Sequence, residues 1–183
     1  GRYRTGPPGL TLSPSRTTVD LQGNCWVANR QSGTVVKIGL YENGLYSDRN
    51  GDGVIETSQD KNGDGIISAD ELLDWGKDEC VLLELVLIPG KEGTYVPGTY
   101  TNTYSTDYWN PGPRGVAVDG QGNIWLGCYG SKTFYYADGL TGQILRTNDV
   151  SSVNHTSYGA VIDANGILWS SGNDKNHVLR LDP

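Results

Sequence analysis

Asp48 to Glu71, DRNGDGVIETSQDKNGDGIISADE, holds the side chains whose types and spacing are best suited to chemistry. Two DxNxDG motifs begin at Asp48 and Asp60, twelve residues apart. In the second, Asp60, Asn62 and Asp64 fall at positions 1, 3 and 5 of a calcium loop, and Gly65 falls at the turn position. Ile66 follows with its backbone carbonyl, then Ser68 at position 9 and Glu71 at position 12. A hard cation such as Ca²⁺ takes about six to eight oxygens, and alternate residues around a tight glycine turn supply them. The first loop repeats the pattern with Asp48, Asn50, Asp52, Gly53, the Val54 carbonyl and Glu56. Its position 12 is Gln59, a poor bidentate ligand, so neighbouring Asp60 is expected to serve both ions. A solvated acidic turn is the plainer alternative, but a complete set of positions ending in Glu is hard to obtain that way. One or two Ca²⁺ ions are expected.

Neither loop is flanked by two long helices; only Ala69 to Trp75 suits a short one. A calcium sensor works by swinging such helices open, so the pair reads as a structural clamp. Charge agrees with this. Ten acidic and three basic residues lie between Asp48 and Glu79, which accounts for the whole formal charge of −7. The remainder is neutral and shows no basic stripe, so nothing favours nucleic acid. No apolar run approaches a membrane span; the longest, Val81 to Ile88, is interrupted by Glu84 and has strand length. With no methionine, the chain is expected to be a processed mature protein or an excised unit. Weak DxNxDG loops suit millimolar extracellular calcium, so an extracellular or cell-surface location is expected.

The elements that must position the loops are strands. The 26 glycines, 11 tyrosines and 5 tryptophans, with almost no long helical pattern, make the class all-β. Three segments share one signature: 17–40, 115–139 and 159–182. In each, a short β-branched strand ends in Asp (Asp20, Asp119, Asp163) and a glycine turn follows. A tryptophan stands six residues after each Asp (Trp26, Trp125, Trp169), and a further strand comes next. Asp119 to Asp163 is 44 residues, the length of one four-stranded propeller blade. The tryptophans are expected to pack between blades, and the aspartates to take up turn hydrogen bonds.

These segments, GVAVDGQGNIWLGC above all, resemble the NHL-repeat and virginiamycin-lyase-like β-propellers. The segment DRNGDGVIETS…DWGKDECVL also resembles a calcium-loop insertion of secreted bacterial members of that group. The resemblance implies that the insertion interrupts a blade between its third and fourth strands, with Glu79 to Ile88 returning as the outer strand. Asp20 to Asp119 spans 99 residues, which suits one blade with a long connection or two blades of which one has lost its signature. Three blades do not readily close a ring. The expected fold is therefore a small β-propeller of about four blades, with a degenerate second blade around 52–112.

Residues 1–13 form a Pro/Gly-rich arm ahead of the propeller, 14–183, with the calcium insertion at 47–75 and a Thr/Tyr-rich connection at 89–114. The arm would close the ring as a strand or be donated head-to-tail to a neighbour. The connection is a surface loop or a contact face for glycan or protein, with Tyr100, Thr101, Thr103, Tyr104, Tyr108 and Trp109 as contacts. Cys25, Cys80 and Cys128 allow three single pairings, of which Cys80–Cys128 is favoured, or three free thiols.

A lyase of the resembled family needs a histidine–carboxylate–metal arrangement, and the chain offers only His155 and His177. No nucleophile elbow, zinc spacing or phosphate loop is present, so an enzyme is not expected. The first expectation is a calcium-stabilised extracellular propeller with a structural role, a self-assembling subunit of a surface filament or scaffold. A propeller binding module for glycan or protein is the alternative, and a lyase the third reading.

Overall fold

Each signature segment folds as a hairpin closed by an Asx turn, and in the computed structural model, which describes residues 1–173 and 177–182, three such hairpins seed three sheets. Asp20 accepts N–H bonds from Gln22 and Asn24 at 3.0 and 2.9 Å. Asp119 and Asp163 do the same for Gln121 and Asn123, and for Asn165 and Ile167. Gly23, Gly122 and Gly166 hold the same place in these turns at φ +96°, +86° and +79°, which glycine adopts without a steric cost.

The first sheet runs β1 (Pro14–Val19), β2 (Cys25–Asn29), β3 (Thr34–Ile38), β4 (Val81–Val86), β5 (Gly93–Tyr95). The second runs β6 (Pro113–Val118), β7 (Ile124–Cys128), β8 (Thr133–Ala137), β9 (Ile144–Asp149). The third holds β10 (Ser157–Ile162), β11 (Leu168–Gly172) and β12 (Val178–Leu181). All pairs are antiparallel and sequential. Residues 174–176 and Pro183, at the end of the third signature, lie outside the described residues.

Blade count departs from expectation. Among the described residues no fourth sheet forms from 52–112. Instead β4 pairs with β3 and β5 with β4, so the segment after the loops completes the first blade. The apolar VLLELV run has its hydrogen-bonding partner in β3, and that pairing leaves nothing from which to seed a separate blade.

The inner strands β1, β6 and β10 lie side by side, with β6 in the middle. Between the first two sheets, Trp26, Leu83 and Leu85 pack with Ile124, Leu126 and Tyr135. Between the second and third, Trp125, Ala117 and Phe134 pack with Leu168, Ile162 and Leu181. The far face of the first blade, with Val27, Val36, Ile38 and Val81, is covered by Tyr3 of the arm and Trp75 of the insertion. Residues 1–13 form no strand in this structure. Arg2 and Arg4 donate to the Ile67 and Leu73 carbonyls, and Asn29 donates to the Thr5 carbonyl.

Candidate functional site

The two loops fold alike. Asp48 accepts N–H bonds from Gly51 and Gly53 at 2.6 and 3.0 Å, as Asp60 does from Gly63 and Gly65 at 2.7 Å each. Asn50 and Asn62 accept from Asp52 and Asp64, which in turn accept from Val54 and Ile66. In the second loop Glu71 is buried, and its carboxylate takes the N–H groups of Lys61, Asn62 and Ser68 with the Ser68 hydroxyl. Those bonds, from Ser68 first and then Lys61, hold its pKa at about 2. Ala69 to Trp75 makes turns, not a helix.

The first loop finds its closing carboxylate outside its own twelve residues. Glu79 accepts from Arg49 N at 2.6 Å and Glu56 N at 3.1 Å, loop positions 2 and 9. Glu71 accepts from the same two positions of its own loop, Lys61 and Ser68. Glu79, buried at 2% exposure, therefore stands in for Gln59. Asp60, expected to serve both loops, accepts hydrogen bonds only from its own loop among the described residues. Arg49 and Asp78 bind the insertion to the blade: the guanidinium donates to the carbonyls of Val81 and Asp78, and the Asp78 carboxylate takes Ser58 N, Ser58 Oγ and Cys80 N.

Among the described residues no three His, Cys, Asp or Glu side chains are gathered as a bound metal would require. The donor set is nonetheless made only of carboxylate, amide, hydroxyl and carbonyl oxygens, the chemistry of a hard cation. A carboxylate offers about four lone-pair sites, so the amide bonds do not exhaust Asp48, Asp60, Glu71 or Glu79. The residues fit Ca²⁺ in kind.

The Thr/Tyr-rich connection divides in two. Tyr100 is buried, and its ring meets Tyr95 and Tyr104 edge-on at 4.9 Å each. The Tyr104 hydroxyl donates to Glu84 at 3.2 Å. These two tyrosines cover the first blade and are not a free contact face. Thr101 and Thr103 are exposed. Tyr108 and Trp109 lie against Tyr129, Arg30 and Arg114, outside the first blade's cover. A Cβ on Gly130 would stand 1.7 Å from the Trp109 carbonyl oxygen, so the connection rests directly on the turn after β7.

All three cysteines are free. The expected Cys80–Cys128 bridge does not form: Cys128 lies in the core between the first two blades, while Cys80 leads into β4 beside Asp78. His155 is buried between the second and third blades, 2.9 Å from Ser170 Oγ and stacked on Phe134. The exposed His177 ring lies 5.7 Å from it.

No protein-family model matches the chain, and no curated protein matches it by sequence. Among solved structures it is similar to Kuenenia stuttgartiensis hydrazine synthase, at 12% identity and a TM-score of 0.56, over 99% of this chain and 36% of that one. It is also similar to virginiamycin B lyase from Staphylococcus aureus, at 18% identity and a TM-score of 0.41, over 96% of this chain and 54% of that one. The chain thus spans about a third to a half of the structures it resembles. The fold is all-β and β-propeller-like. At these identities the likeness concerns the fold alone. No helix among the described residues is long and apolar enough to cross a membrane.

Proposed function

We propose that this protein is a calcium-stabilised, extracellular β-propeller module with a structural role, which assembles with further copies of itself through its third blade. The observation that carries this reading is the unequal burial of three equivalent tryptophans. Trp26 and Trp125 are 0% and 1% exposed because a following blade covers each, whereas Trp169 is 38% exposed. Val161 and Val178 on the same face are 64% and 60% exposed. Apolar surface of this kind, repeating an interface the molecule already uses twice, favours a partner sheet of the same type. Among the described residues β12 has no partner on its outer edge, and a donated strand would pair there. The arm, docked in cis by Arg2 and Arg4, would have to be released before it could serve as that strand.

Calcium belongs to this reading as a clamp. Asp48, Asn50, Asp52 and Glu56, closed by Glu79, would hold one ion, and Asp60, Asn62, Asp64 and Glu71 a second, with carbonyls of Val54 and Ile66. The cation would neutralise the acidic insertion that, with the arm, covers the first blade. Extracellular calcium levels suit loops of this type.

The test is sizing chromatography with negative-stain microscopy, in millimolar calcium and then in chelator, on the parent and Val161→Asp. Oligomers or filaments in the parent that Val161→Asp abolishes without loss of fold support the reading. A monomer in the parent under both conditions would sink it.

A further inference from the structure

One end of the three blades carries a concentration of positive charge that neither the fold nor the assembly reading uses. In every blade the pairing of the inner strand with its neighbour slips near its start, between Pro14 and Arg16, Pro113 and Gly115, and Ser157 and Gly159. The extra residues at these equivalent bulges are Ser15, Arg114 and Tyr158. A bulge re-aims a side chain out of the regular alternation. Arg30 and Tyr129 likewise hold equivalent places, directly after β2 and β7. Three blades thus deliver their residues to one end.

There the Arg114 guanidinium lies 5.0 Å from the Tyr158 ring, 5.1 Å from Tyr129 and 5.5 Å from both Tyr108 and Trp109. Arg30 lies 4.0 Å from the same Tyr108 ring, and Arg16 4.6 Å from the same Tyr158 ring. Two tyrosines therefore bridge three guanidiniums. No carboxylate answers them: the ion pairs among the described residues are Lys37–Asp20 and Arg180–Asp182. Asp107, the acid nearest in sequence to Tyr108, accepts the Trp109 N–H. Arg114 is only 4% exposed, and the Nε atoms of Arg30 and Arg114 are both buried without a hydrogen-bond partner among the described residues.

Arg16 donates Nε and Nη1 to the carbonyls of Tyr158 and Ser15, but around Arg30 and Arg114 the aromatic faces ease the burial of a cation without accepting from the buried Nε–H groups. Burying polar donors without acceptors is costly, and like charges held together add to the cost. An oxyanion relieves both, and the guanidinium fork matches carboxylate, sulfate and phosphate oxygens in pairs. Trp109, 51% exposed at the rim, adds a flat apolar wall for whatever carries the anion.

We propose that Arg16, Arg30 and Arg114, walled by Tyr108, Tyr158 and Trp109, form a binding site for a small ligand bearing a carboxylate, sulfate or phosphate group. The site is independent of the calcium loops and of self-assembly. Sequence alone shows Tyr108 and Trp109 as contact candidates but not the arginines, because the cluster is assembled from five separate segments.

The test is intrinsic tryptophan fluorescence and calorimetry on the full chain, titrated separately with sulfate, phosphate and glucuronate. Chloride at matched ionic strength serves as the reference. At least one oxyanion is expected to give a saturable response absent with chloride, and the three arms tell a tetrahedral from a planar oxyanion. Arg30→Ala should weaken it about tenfold or more, as should Arg114→Lys, which keeps the charge but loses the fork. Arg180→Ala, elsewhere on the third blade, should leave it unchanged. If Arg114→Lys fails to fold, the half-buried Arg30 keeps the test intact. Saturable binding by none of the three, or equal binding by Arg30→Ala, would overturn the proposal.

Discussion

Trp26 and Trp169 make the same hydrogen bond, from indole Nε1 to the aspartate six residues earlier, at 3.1 Å to Asp20 and 2.9 Å to Asp163. Only the first has a sheet packed over its ring. The two positions therefore separate what the turn contributes from what the blade interface contributes. Truncating a buried tryptophan costs about 3–5 kcal/mol, while a half-open one with one turn contact costs about 1 kcal/mol or less in the monomer. Trp26→Ala should lower the denaturant midpoint sharply, and Trp169→Ala only slightly. Equal losses would mean that the third blade's face is already covered in the isolated chain.

Glu79 and Gln59 give a second prediction. Because Glu79 takes the amides of loop positions 2 and 9, Glu79→Ala should remove one calcium equivalent. Glu71, with its own loop intact, should keep the other. Calorimetry on the parent is expected to give two ions per chain. Gln59→Glu in the Glu79→Ala background should not restore the lost ion, since Gln59 is exposed and it is Glu79 that takes the loop's closing amides. Unchanged stoichiometry in Glu79→Ala would show that the first loop either binds without it or does not bind.

What could be read in advance was what neighbours in sequence decide. The Asp20, Asp119 and Asp163 turns, the tryptophans six residues on, and the spacing of the second calcium loop all depend on residues within one hairpin or one loop. The return of β4 to β3 agrees with the outer strand that the resemblance implied for Glu79 to Ile88, whereas the 99-residue gap alone was compatible with either one blade or two. Glu79 was missed because it reaches back across the second loop to close the first, and no local pattern marks that. The arginine cluster was missed for the same reason, carried further: Arg16, Arg30 and Arg114 are unremarkable in sequence and meet only when three blades align. Tyr100 and Tyr104 misled because a Thr/Tyr-rich stretch looks like a surface loop, whereas their rings are needed over Glu84 and the first blade.

The thiols supply a third prediction. Burial raises the pKa of Cys25 and Cys80, with nearby carboxylates adding to it, and pushes Cys128 up to about 12. Thiolate is the reactive form, so a thiol reagent at neutral pH should modify native protein slowly, beginning at half-buried Cys25. All three should react at once in denaturant, with no reductant required. Fewer than three thiols in denaturant would indicate a bridge.

Glu84 is the one fully buried carboxylate with an oxygen, Oε1, that has no partner among the described residues. Burial raises its pKa to about 7, opposed in part by the hydrogen bond from Tyr104. An acid whose folded pKa exceeds its unfolded value binds more protons in the folded state. Its favourable contribution is therefore complete below about pH 4.5 and is lost as pH rises through about 7. The shift corresponds to about 3 kcal/mol across that window. The parent should lose stability between pH 5 and 8 relative to Glu84→Gln, which has no proton to release there. Tyr104→Phe should deepen the loss above pH 7, because it withdraws the single donor to the ionised carboxylate. The two histidines are common to all three proteins, so the differences in denaturant midpoint isolate this group. Parallel pH curves for the parent and Glu84→Gln would mean that Glu84 is solvated, and that the tyrosine cover over the first blade opens.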